Sequence, residues 1–295
     1  DFSSGDPGRR ANLRRTEPEQ PDLTFHNEVR AGAVGSGDNA YIFGVPHTFQ
    51  RYVRGTIPPN RKLFSIKGSM GDPALTAARL LTEALQTCGI EVNGSAISGH
   101  GAEQMGVNLI NTGTRFHTHR SPVLSEIVHE TNMESVNLYA EALAVHVAKA
   151  LKQPFRGGEA AGAVVRHWRN KGVKTSGMYV RDGSGLSPNN VMSPAQMTAI
   201  LAAARKGSAY KAFEASLPLA GRSGSLRKML KGTVAEGRLR AKSGYISGVR
   251  AYTGYVRTPE GRELCFAMMA NHHGGGSGAM RRRFEELMAK IAEGK

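Results

Sequence analysis

The 295-residue chain contains no apolar run approaching the roughly 20 residues that a membrane-spanning helix needs, so no segment of it reads as a helical anchor. Cysteine is scarce. Cys88 and Cys265 lie far apart, outside any C-x-x-C or metal-ligand spacing, so they give no redox compartment and are expected to be core thiols. No G-x-G-x-x-G or P-loop pattern opens a helix, and Gly99-His100-Gly101 by itself does not make a phosphate cradle, which argues against a nucleotide role. No aromatic-interleaved basic motif accompanies the cations, so no nucleic acid partner is expected. Asp1 to Gln20 is polar and Arg-rich without an apolar h-region and is not read as a signal peptide. The expectation is that a leader has been removed or that the chain is an internal piece of something longer.

Positive charge is what the chain has in excess. The net charge is +15, spread along the sequence, which reads as a solvated basic face and suits an acidic partner such as an anionic surface or wall polymer. His117 and His119 stand two apart, as ligands on one strand face might, but no third ligand follows at a recognisable spacing, so no metal is expected.

Along the chain, Asp1 to Asp22 reads as a flexible arm. From Leu23 short strands alternate with turns, with Tyr41-Ile42-Phe43 and Leu63-Phe64-Ser65-Ile66 as strands and Pro58-Pro59-Asn60 as a turn. Asp72 and Pro73 open a helix with a stripe of Ala77, Leu80, Leu81, Ala84 and Cys88, and Gly89 closes it. Val92 to Asn111 returns to short Gly-rich strands. After Ser121-Pro122 the period becomes helical: one helix to His129, a break at Asn132 to Glu134, and a second over Leu138 to Leu151 with Leu138, Ala142, Val145 and Lys149 along one side. Ala160 to Asn170 is helical, Gly172 to Val180 strand-like, and Ser193-Pro194-Ala195-Gln196 a capping box. The last third gives strands at Arg238 to Tyr245, Val249 to Thr258 and Glu263 to Ala270, an antiparallel meander, then a helix with Met280, Phe284, Leu287 and Ile291 inward.

Two stretches carry chemistry. Lys242-Ser243-Gly244 on a strand offers a cation, a hydroxyl and room for a backbone, a surface suited to an extended peptide and its terminal carboxylate. Ser135-Val136-Asn137 falls in the helix break. Its two polar side chains either cap the following helix or, if the segment is a loop, share a cleft.

Taken with Asp182-Gly183-Ser184-Gly185-Leu186-Ser187 and Ser216-Leu217-Pro218-Leu219-Ala220-Gly221, these motifs resemble, in their order, the serine-type D-alanyl-D-alanine carboxypeptidase/endopeptidase family of low-molecular-mass penicillin-binding proteins with large inserted domains. The resemblance runs from about Val29 to Asn271. It implies an α+β fold: a penicillin-recognising, transpeptidase-like domain over 117–295, with an antiparallel sheet flanked by helices, and part of an inserted β-rich domain over 23–116. It implies Ser135 as proton relay, Asn137 as holder of the acyl amide, and Lys242 and Ser243 as the carboxylate site. Gly244 allows close approach, and the Tyr245 N–H supplies an oxyanion donor. Peptidoglycan stem peptides and β-lactam antibiotics are the implied ligands, the periplasm or outer cell-wall space the implied compartment, and no metal or cofactor is implied.

The chain departs from the pattern in three places. Ser243 stands where Thr is usual, and Pro188 follows the Asp182 run where relatives often carry Arg. No Ser-x-x-Lys precedes Ser135; Ser208-Ala209-Tyr210-Lys211 and Ser225-Leu226-Arg227-Lys228 have the spacing but lie between the second and third motifs, and Lys174-Thr175-Ser176-Gly177 is an out-of-place near-match to the third. The nucleophile is therefore expected in sequence upstream of Asp1. A non-catalytic peptidoglycan-binding relative and a basic polyanion binder are the alternatives.

Overall fold

The computed structural model describes residues 1–107, 117–155, 158–274 and 277–294. Its contacts fall into two compact units, Asp1–Phe116 and His117–Lys295.

In the first unit, β1 (Phe2–Ser3) and β2 (Asn12–Leu13) pair antiparallel, and β3 (Thr24–Ala31), β4 (Asn39–Phe43) and β5 (Gln50–Ile57) form a sheet in the order β3-β5-β4. β3 runs parallel to β5 and β4 antiparallel to it. Strand alternation turns Val29, Ala40, Val53 and Ile57 to one face, where Phe2 and Ala11 pack on them. The flexible arm expected over 1–22 is thereby corrected. Phe2 is 1% exposed and exchanges backbone hydrogen bonds with Phe64 at 2.8 Å, because one buried aromatic outweighs the polar residues around it. The strand expected at Leu63 to Ile66 shrinks to that single bridge.

Helix α1 (Pro73–Thr87) starts as the sequence dictates: the Asp72 carboxylate accepts from the Leu75 N–H at 3.0 Å, and Pro73 sits where no donor is needed. Its apolar stripe does not form a core, since Leu80, Leu81 and Cys88 are exposed and Thr76 is the buried residue. Cys88 is thus no core thiol, and Cys265 is half-buried. Between 92 and 107 the structure shows no strand; α2 (Gly99–Gln104) forms instead, capped by Ser98 Oγ accepting from Gly101 N. Residues 108–111 of that expectation lie outside the described residues.

The second unit is helical up to its sheet. Its helices are α3 (Leu124–Met133), α4 (Asn137–Ala150), α5 (Glu159–Asn170), α6 (Pro194–Ala204) and α7 (Tyr210–Ser216). They are followed by a 3-10 turn at Gly224–Leu226, then β6 (Leu239–Ile246), β7 (Val249–Arg257), β8 (Glu263–Asn271) and α8 (Ser277–Ala292). The three strands are antiparallel in the order β6-β7-β8, so the fold is α+β with an antiparallel sheet flanked by helices. Tyr252, Val256 and Phe266 meet Phe284, Met288 and Ala292 of α8 on one face, and Tyr255 meets Leu201 and Leu217 on the other. Met288, not Leu287, completes the inward stripe of α8. On α4 the buried positions are Ala144 and Ala148, and Leu138 is 72% exposed, because α5 packs against the small side chains through Ala160 and Ala163. The expected strand at 172–180 is only a bridge between Tyr179 and Val191.

Candidate active site

Alternation along β6 puts Leu239 and Ala241 on the α8 face, which leaves Arg240 and Lys242 on the opposite face. From there Lys242 Nζ donates to Ser135 Oγ at 2.8 Å, across 107 positions of sequence, and to its neighbour's carbonyl, Ser243 O, at 2.9 Å. No carboxylate lies within ion-pair distance of it among the described residues. Burial therefore acts uncompensated and pulls the Lys242 ammonium below its ordinary range. Lys242 is thus a half-buried cation with acceptor contacts and no counter-ion among the described residues.

Ser135 reaches Lys242 from a strained turn. Its φ is +57°, the left-handed region that a non-glycine residue enters at a cost of order 1–3 kcal/mol. The capping alternative is overturned: Val136 is the N-cap of α4 and makes no side-chain cap, and Asn137 is the first helical residue. Ser135 and Asn137 are both solvent-accessible.

Ser243, the next residue on β6, donates its hydroxyl to Ser225 Oγ at 2.8 Å. Ser225 is held there by a close approach: a Cβ on Gly224 would fall 2.8 Å from Pro218 Cγ and 3.1 Å from Met133 O, so only glycine lets the 3-10 turn lie against the end of α3. The sequence offered Ser225 only as a misplaced nucleophile, and its role as a partner of Ser243 needed the fold. Neither Ser225 with Lys228 nor Ser208 with Lys211 forms a serine–lysine hydrogen bond among the described residues. Thr175 of the Lys174 near-match is buried, accepting from Arg169 Nε at 2.9 Å. His117 and His119 are exposed and outside any helix or strand, and no group of three metal-ligating side chains occurs among the described residues.

The Asp182 run is pinned beside α4. Glu141 accepts from the Gly183 and Ser184 N–H groups at 3.0 Å each, and Asp182 accepts from Gly185, Ser187 and Asn190. A Cβ on Gly183 would meet Ala140 O at 2.5 Å, so the loop lies directly on the helix that Asn137 opens. β6 is an edge strand. Residues 218–220 cover its first half, with Ala241 N donating to Pro218 O at 3.0 Å. Beyond Ala241 that edge is open among the described residues, and Tyr245, half-exposed, carries the Arg250 guanidinium 4.7 Å over its ring.

A sheet of this order, with a lysine strand facing a serine turn between two helices, defines a penicillin-binding-protein fold. The chain superposes on penicillin binding protein 4 of Haemophilus influenzae with TM-score 0.74 at 19% identity, covering 98% of this chain and 66% of that one. The chain belongs to the D-Ala-D-Ala carboxypeptidase 3 (S13) family, whose pattern matches residues 4–293. It is 32% identical over 272 residues to a D-alanyl-D-alanine carboxypeptidase of an Actinomadura species, covering 88% of this chain and 49% of the relative. It is 34% identical over 212 residues to carboxypeptidase DacB of Mycolicibacterium smegmatis, covering 68% and 43%. The chain thus spans about half the length of the curated relatives it matches.

Proposed function

We propose that this chain forms most of the substrate cleft of a serine-type D-Ala-D-Ala carboxypeptidase/endopeptidase that acts on peptidoglycan stem peptides and is acylated by β-lactams. The carrying observation is the Lys242–Ser135 hydrogen bond: it joins the two motif serine and lysine positions around a cation that has no counter-ion. Lys242 and Ser243 take the terminal carboxylate, and the open edge of β6 takes the extended backbone, with Gly244 leaving room and the Tyr245 N–H aimed at the oxyanion. A nucleophilic serine from outside residues 1–295 attacks the penultimate D-Ala carbonyl. The C–N bond breaks, Ser135 passes the proton to the departing D-Ala amine, Asn137 holds the acyl amide, and water hydrolyses the ester. The first unit is the remainder of an inserted β-rich domain, and the compartment is the periplasm or outer wall space.

Family membership supports this reading, as does the cleft itself. The test is to label the protein that carries this chain with a fluorescent penicillin and map the adduct. One labelled serine outside residues 1–295 is expected. No adduct, or an adduct on Ser208 or Ser225, overturns the proposal, and wall-fragment binding without any adduct would leave a non-catalytic peptidoglycan binder.

A further inference from the structure

On the Lys242 face of the sheet, four arginines converge on a cavity of about 610 Å³. Arg222 comes from the turn after Leu219, Arg238 from just before β6, Arg240 from its start and Arg257 from the end of β7, so three separate stretches contribute arginines to one lining. Arg240 Nη1 donates to Leu217 O at 3.0 Å, and Arg257 Nη2 to Glu263 Oε2 at 3.4 Å. The guanidinium groups of Arg222 and Arg238 have no hydrogen bond or ion pair among the described residues.

Three glutamates line the cavity as well, but they do not neutralise it. Glu263 is shared among Arg205 at 2.5 Å, Arg257 and the Tyr210 hydroxyl at 2.7 Å. Glu236 takes the Gly232 N–H at 2.7 Å, and Glu214 has no side-chain partner among the described residues. With Glu263 answered by Arg205, four arginines face two glutamates, and positive charge remains in excess. The wall is also shaped for Arg222. A Cβ on Gly237 would stand 2.9 Å from Arg222 Nη2, and one on Gly221 would stand 2.9 Å from Glu236 Cγ, so both side chains lie across bare backbone.

We propose that this cavity is a second carboxylate-binding subsite, distinct from the one at Lys242 and Ser243, and that its ligand is a peptide carboxylate. Planar guanidinium groups suit a carboxylate through paired N–H donors. Ala215 and Leu219 in the same lining give an attached side chain somewhere to lie, which an inorganic anion does not need. Arg240 precedes Lys242 by two residues on one strand face, roughly 7 Å, so a single branched or cross-linked peptide can present one carboxylate to each. The source of the peptide rests on the stem-peptide reading of the cleft, whereas the binding chemistry does not.

The experiment is an NMR titration of the chain with N-acetyl-D-alanyl-D-alanine, its C-terminal amide and inorganic phosphate, following the Arg222 and Arg238 Nε–H signals and, separately, the Gly244 amide. The free-acid peptide should move both arginine signals, and the amide should not. The double variant R222Q/R238Q should weaken that binding about tenfold or more and leave the Gly244 response intact; G237A, which displaces Arg222, should weaken it too, and K242M should spare it. Arginine shifts with a silent Gly244 would sink the cleft reading and leave this subsite standing. The subsite is overturned by an equal response to the amide, by phosphate binding more tightly than the peptide at the same arginines, or by arginine signals that do not move while Gly244 does.

Discussion

Lys242 carries a burial cost that a ligand would relieve. Its ammonium is held below the ordinary lysine value of 10.5, so the folded state releases its proton more readily than the unfolded chain does. The cost is fully present below the lowered value and disappears as pH rises from there towards 10.5, so stability gains over that window. Carboxylate binding follows the opposite course, because the charged form does the binding. Titrating N-acetyl-D-alanyl-D-alanine against pH should show affinity at the cleft falling at a pH below 10.5. K242M should lose roughly 10- to 100-fold in affinity without lowering the melting temperature at pH 7. The Ser225 contact gives a second prediction. Serine at 243 lacks the methyl that stiffens threonine's χ1, and the 2.8 Å bond to Ser225 supplies the missing restraint. S225A should therefore weaken peptide binding about fivefold, the worth of one neutral hydrogen bond, and S243T in the same chain should restore most of it; equal losses in both backgrounds would refute the restraint.

Among the elements, α4 is the one whose sequence misleads. Leu138 and Val147 point to solvent, and the alanines that pack on α5 carry little hydrophobic signal. The helix is nevertheless placed by its polar residues, since Glu141 grips two backbone N–H groups of the Asp182 run. E141A should free that loop, seen as faster hydrogen exchange at Gly183 and Ser184 with α4 itself still protected. The limits of the three meander strands and of α4 and α5 were readable within a residue or two, because the meander has period-2 patterning and tight turns, whereas α3 runs on to Met133, four residues past the expected end and through the expected break at Asn132. The bridges at Phe64 and Tyr179 were overread as strands: their residues have strand propensity, but each finds only one partner.

For the whole molecule, the first unit depends on its opening residues. F2A should destabilise that unit by about 3–5 kcal/mol, the usual range for emptying a buried aromatic site, measured by denaturant unfolding. A truly mobile arm would make it silent. The family could be read from the chain because motif residues are adjacent in sequence and their order is a linear property. Three things were decided only by tertiary structure: that Phe2 belongs to a core, that Ser225 rather than solvent meets Ser243, and that Lys242 and Ser135 touch across 107 residues. Each is a contact between chain segments far apart in sequence. The geometry of such contacts is set by how sheets and helices pack, which no local pattern encodes.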